Sequence, residues 1–211
     1  MGLYLRSRLL GSLRILSKDV EDFRTLGLNG FMSCQNLRVF LPSGLGMYLM
    51  AQALWTGRDE FDSESERYLR AAYGSQWQLC RDYLAEISAL FDPRVLRGEM
   101  PVTAEGSALR YARIPGRIDG FLAGLEDDPA CRNMLECIRH HARLCRHLAA
   151  VLICAAEGDL TEMDRRWQQA RDFACQNEEK FQRELDVFEL LLVWESKILP
   201  RFRQQAEGFI E

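Results

Sequence analysis

The chain has 211 residues, 47% hydrophobic and 27% charged, long enough to bury a core of its own. A net charge of −4 gives no basic excess, which argues against nucleic acid as a partner, and no apolar run approaches the roughly 20 residues that span a bilayer, so no membrane partner is expected. The seven cysteines are an odd number with no close C-x-x-C pair, which disfavours a complete disulfide framework and points to a reducing, cytoplasmic compartment.

Residues 3–16 carry leucines at loosely helical spacing, with Arg6, Arg8 and Arg14 on the polar side. Ser17 then reads as the N-cap of a second helix, with Asp19 and Glu21 in its first turn, Val20, Phe23 and Leu26 on one face, and Gly27 at its end. Residues 29–34 follow a turn signal and read as a short buried strand. A helix, a turn and a strand in so few residues is the pattern of an α/β unit. Residues 35–43 read as a loop ending at Pro42.

A helix is predicted over 44–55, with Leu45, Tyr48, Leu49 and Trp55 close to one face. Ser63 and Glu66 have the spacing of a capping box, and the helix they open stops at Gly74. Trp77, Cys80, Leu84, Ile87 and Phe91 mark the next helix, which Asp92-Pro93 terminates. Residues 94–128 are rich in Gly and Pro; one or two short helices are expected, around 105–112 and 118–125, with a boundary between an N-terminal and a C-terminal part in this stretch.

Asp128 and Pro129 give a strong helix start, and Met134, Ile138, His141, Cys145, Leu148 and Leu152 form the buried stripe of the helix they open. Gly158 ends it. Asp159, with Glu162 three residues on, opens a last helix with no Gly or Pro before Pro200, about 60 Å long at 1.5 Å per residue. Its stripe would be Met163, Trp167, Ala170, Ala174, Phe181, Leu185, Phe188 and Leu192, and the two helices should form a long antiparallel hairpin.

No residue set spells out a reaction. Cys137, His141 and Cys145 are spaced by four, yet their face also carries Met134, Ile138 and Leu148, which makes it the core stripe; no metal and no cofactor is expected. All three histidines lie in one helix, and nothing like G-x-S-x-G is present. The aromatic residues Trp55, Phe61, Tyr68, Tyr73, Trp77 and Tyr83 suit sugar stacking, but at helical spacing they read better as core.

The stretch GLGMYLMAQALW, an acidic segment over 58–62, and ERYLRAAYGSQWQLCRDYL resemble the bacterial glycoside-hydrolase-like family catalogued as domain of unknown function 4838. Leu54-Trp55, Tyr73-Gly74 and Tyr83-Leu84 match its pattern. LSKDVEDFRTLGLNGFMSCQ resembles a late barrel helix feeding a barrel strand, and EGDLTEMDRRWQQA resembles the helical hairpin that follows the barrel. A whole barrel takes about 250 residues. The resemblance therefore implies the C-terminal portion of a longer protein, beginning inside the barrel and lacking the catalytic acids of the earlier strands.

The resulting expectation is a mainly α chain. It comprises the remnant of a (β/α) barrel end with one or two short strands (residues 1–43), a helical region with an irregular linker (44–128), and a long helical hairpin (129–211). Its implied role is to brace a sugar-cleaving barrel without catalysing, with carbohydrate as a partner in the full-length context. Residues just after the strand would face a ligand at the barrel's C-terminal end: Cys34, and above all Gln35, Asn36 and Arg38 as substrate-binding residues. The rival reading is a stand-alone α-helical protein-interaction module.

Overall fold

The computed structural model describes residues 9–28, 30, 32, 38, 40–58, 60–206 and 208, with 9–12 and 40–43 described by backbone only. The described residues are mainly α-helical and contain no strand. The strand expected over 29–34 lies outside them, save for Gly30 and Met32.

Where two N-terminal helices were expected, one helix, α1 (Leu9–Thr25), runs through. Ser17 is not its cap but a buried interior residue, because Leu13, Ser17 and Val20 share the face that packs inward. Helix α2 (Phe40–Thr56) begins earlier than expected, with Pro42 accommodated in its first turn, where a missing N–H costs nothing. The two helices approach closely at Gly46: a Cβ there would lie 2.7 Å from Leu13 Cδ2.

Helix α3 (Phe61–Tyr73) starts two residues before Ser63, so no capping box forms; the Ser63 hydroxyl donates instead to the Glu60 carbonyl. A 3₁₀ turn (Gly74–Gln76) leads into α4 (Trp77–Leu90). Asp92 does end that helix, and it also caps the next one, α5 (Pro93–Arg97), accepting from Arg94 N at 3.0 Å. Its carboxylate is buried and takes Arg94 Nη2 and Arg110 Nη1, both at 2.7 Å.

Where one or two short helices were expected over 105–125, a single longer helix forms, α6 (Ser107–Gly124), with Pro115 inside it. Tyr111, Ile114 and Ile118 are fully buried at helical spacing and Phe121 stacks on Tyr83 at 3.9 Å, so burial against α4 outweighs the Pro and Gly penalties.

Asp128 caps a 3₁₀ turn (Pro129–Cys131) that feeds α7 (Arg132–Glu157), the central helix of the core, with α6 and α8 (Leu160–Gln176) packed against it. Gly158 takes φ 79° between them, and Asp159 caps α8 by accepting from Glu162 N.

The single last helix expected to reach Pro200 is broken. Helix α8 stops at Asn177, whose side chain donates back to the Phe173 carbonyl. A short α9 (Glu178–Phe181) follows, then a turn. Asp186 caps α10 (Val187–Val193), which passes through a π-helical turn (Trp194–Ile198) into α11 (Leu199–Ala206). The wider turn lies just before Pro200, whose ring would crowd the Ser196 carbonyl in a regular α-helix. The break resets the helical phase. Val187, Leu190, Val193 and Trp194 point inward, whereas Phe188 is 71% exposed and Leu192 is also exposed. One contiguous buried cluster runs from Leu13 to Phe202.

Candidate functional site

Of the residues expected to contact a ligand, Cys34, Gln35 and Asn36 lie outside the described residues. Arg38 is described, and its Nε lies 3.8 Å from Asp186 Oδ2. The structure thus gives this guanidinium a carboxylate from the chain itself. It also ties Arg38, two residues before α2, to the turn between α9 and α10, nearly 150 positions later.

That turn is one wall of a cleft of about 330 Å³, within the size range of ligand pockets. Asn133, Glu136 and Cys137 line it from the first turns of α7; Lys180, Gln182, Arg183 and Glu184 line it from α9 and the turn. The break after Asn177 creates this wall: a continuous helix would have carried these side chains past α7. Phe181 anchors it from below, with its ring stacked on His140 at 4.0 Å, and His140 stacks in turn on Phe173. Lys180 Nζ reaches across to Glu136 at 2.9 Å, and Gln182 Nε2 donates to the Glu179 carbonyl at 3.2 Å. Asp186, two residues beyond Glu184, holds both the start of α10 and Arg38.

The Asn133 amide, Arg183 and Glu184 have no hydrogen-bond or ion-pair partner among the described residues, although arginines elsewhere, such as Arg94, Arg97, Arg146 and Arg165, hold carboxylates. Cys137 is no nucleophile: burial, together with Glu184 and Glu136, pushes its thiol up to about 11.

Behind it, the cysteine and histidine stripe of α7 is core. His141 Nδ1 shares a 3.0 Å hydrogen bond with the Tyr83 hydroxyl, and Cys145 Sγ lies 3.5 Å from His141 Nε2. Burial holds His141 down to about 4 and raises Cys145 to about 12, so neither charges near neutral pH. No group of three or more His, Cys, Asp or Glu among the described residues is placed to hold a metal. Phe61, Tyr73, Trp77 and Tyr83 are buried, but Trp55 is 89% exposed at the end of α2.

That end carries further uncovered apolar side chains. Leu26 and Leu28 follow α1, and Leu54 precedes Trp55. The two helix ends lie side by side, since the Arg24 guanidinium occupies the space that a side chain at Gly57 would need. No described helix is long and apolar enough to cross a membrane. Compared with known proteins, the chain matches no family model, no curated protein and no solved structure.

Proposed function

We propose that the chain is the helical, non-catalytic C-terminal portion of a glycoside-hydrolase-like, carbohydrate-active protein. In this reading the ends of α1 and α2 meet a sugar-cleaving barrel, and residues 29–43 belong to its rim. Helices α7 and α8 act as the antiparallel arms that brace it. The observation that carries the reading is the uncovered apolar surface of Leu26, Leu28, Leu54 and Trp55, at the end of the helix whose sequence resembles a late barrel helix and at the adjoining end of α2. Patches of adjacent exposed apolar side chains mark contact surfaces. Among the described residues, the buried Cys137, His141 and Cys145 are held neutral and Asp92 is paired, so none of them is poised for catalysis near neutral pH.

An antiserum raised against the chain tests this on extracts of the native cells. The expected product is longer than the 24.4 kDa chain by about a barrel, roughly 250 residues. That product should turn over aryl glycosides, and the isolated chain should turn over none. A native product of 24.4 kDa would overturn the reading and leave a stand-alone helical interaction module, for which the same apolar end would be the binding face.

A further inference from the structure

We infer that the cleft between α7 and the turn after α9 is a binding subsite for an uncharged sugar ring, an inference that rests on the carbohydrate reading above. The argument begins with what the cleft offers. Arg183 presents a planar fork of donors, Glu184 presents only acceptors, and the Asn133 amide presents both. None of the three is paired among the described residues. Neighbouring hydroxyl groups on a ring are the ligand chemistry that uses such a mixture, because each hydroxyl both donates and accepts.

Charge narrows the class. Lys180 and Glu136 neutralise each other across the cleft at 2.9 Å, and the free Arg183 is balanced by the free Glu184. A carboxylated ring would meet Glu184 and an amine-bearing one would meet Arg183, so neither has the advantage. Arg38 does not change this balance, because Asp186 already engages it. Its ion pair holds Arg38 beside the turn that walls the cleft. The site is built rather than incidental: Phe181 is locked under it by His140, and Asp186 fixes the end of the turn through the cap of α10.

The test is a titration of the ¹⁵N-labelled full chain with N-acetylglucosamine, glucuronate and glucosamine in parallel, each to about 100 mM, since an isolated subsite of this kind is expected to bind in the millimolar range. The expected result is saturable shifts with N-acetylglucosamine at the Asn133 and Gln182 side-chain amides and the backbone amides of 179–184. Arg183→Ala and Glu184→Ala should each weaken that binding about tenfold while leaving the unfolding temperature in place. No saturable shift with the neutral sugar, shifts confined to another part of the chain, or tighter binding of either charged sugar would overturn the inference. The two readings fail separately. A long native product with a silent cleft removes only the subsite, and a sugar-binding cleft on a 24.4 kDa native product removes only the barrel.

Discussion

The two ends of the molecule treat their apolar side chains in opposite ways. From α3 onward the apolar residues are closed in, with Ile114, Ile118, Leu135 and Leu152 fully buried and only Leu109, Phe188 and Leu192 conspicuously exposed among the described large ones. At the adjoining ends of α1 and α2, Leu26, Leu28, Leu54 and Trp55 stand in solvent although Leu13, Leu45 and Leu49, further along the same helices, are buried. A helix that buries one part of its length and leaves its apolar end uncovered is finished on one side only. That uncovered end is the surface that the proposed contact with a barrel would use.

The sharpest way to break that contrast is to cut into the closed part. Leu152→Ala, in the C-terminal half of α7, should cost about 3–4 kcal/mol in denaturant unfolding, the usual result for deleting a fully buried leucine. A cost under 1 kcal/mol would mean that the core around α7 is loose and that the contrast is false. Asp92→Ala comes next, at about 2 kcal/mol, because it removes a helix cap and strands Arg110 beside a buried site. The Arg94 and Arg110 guanidiniums hold the Asp92 carboxyl down to about 2, below its unfolded value of about 3.9. Its contribution is therefore intact above pH 4 and lost as pH falls through about 2; the variant's deficit should shrink over that window.

The closed part was legible wherever local signals and burial agree. Asp128-Pro129 and Gly158 bracket α7 because a cap, a Pro in the first turn and a left-handed Gly each act within a few residues. The α6 helix was hidden by Pro115 and Gly116, although Tyr111, Ile114, Ile118 and Phe121 already had helical spacing; only contact with α4 and α7 shows that burial prevails. The break at Asn177 was hidden for the opposite reason. Phe181, Leu185, Phe188 and Leu192 continue the spacing of the α8 stripe, so periodicity runs on where the backbone turns. The available signal was Asp186 with Glu189 three residues later, a helix start inside what read as one helix. Missing it meant missing the cleft, whose outer wall is that turn. The uncovered end of α2 was hidden as well, since a tryptophan at helical spacing does not reveal whether anything covers it.

A gentler probe of the closed side is the buried histidine pair. Burial lowers both His140 and His141 to about 4, against about 6.5 in an unfolded chain. Between those values the unfolded chain binds protons that the folded one excludes, so stability should fall as pH drops from 6.5 toward 4 and level off below. His140 Nε2 has no partner among the described residues, and its ring lies stacked between Phe173 and Phe181. His140→Phe keeps the stack, removes the orphaned nitrogen and deletes one of the two protonation sites. Urea unfolding at pH 7 and pH 5 should show a smaller loss in the variant than in the parent. An unchanged pH slope would mean that His140 reaches solvent and that this wall of the cleft opens freely.

The smallest effect belongs to Trp55, and it bears most directly on the contrast. The chain has four tryptophans, and Trp77, Trp167 and Trp194 are buried. Trp167 and Trp194 stack at 5.4 Å, and Trp77 lies under the guanidiniums of Arg70 and Arg81. Trp55 alone stands in water, so iodide should quench one component of the emission, and Trp55→Gln should remove that component. Because the indole touches so little, the substitution should change stability by less than about 0.5 kcal/mol, as surface substitutions usually do. Binding of a hydrophobic dye should fall with it, since the largest ring of the uncovered end is gone. A loss of more than 1 kcal/mol, or tryptophan emission that iodide barely reaches in the parent chain, would mean that Trp55 is covered in solution. The end of α2 would then already have its partner, within this chain or in a second copy of it, and the reading of an unfinished face awaiting a barrel would have to be given up.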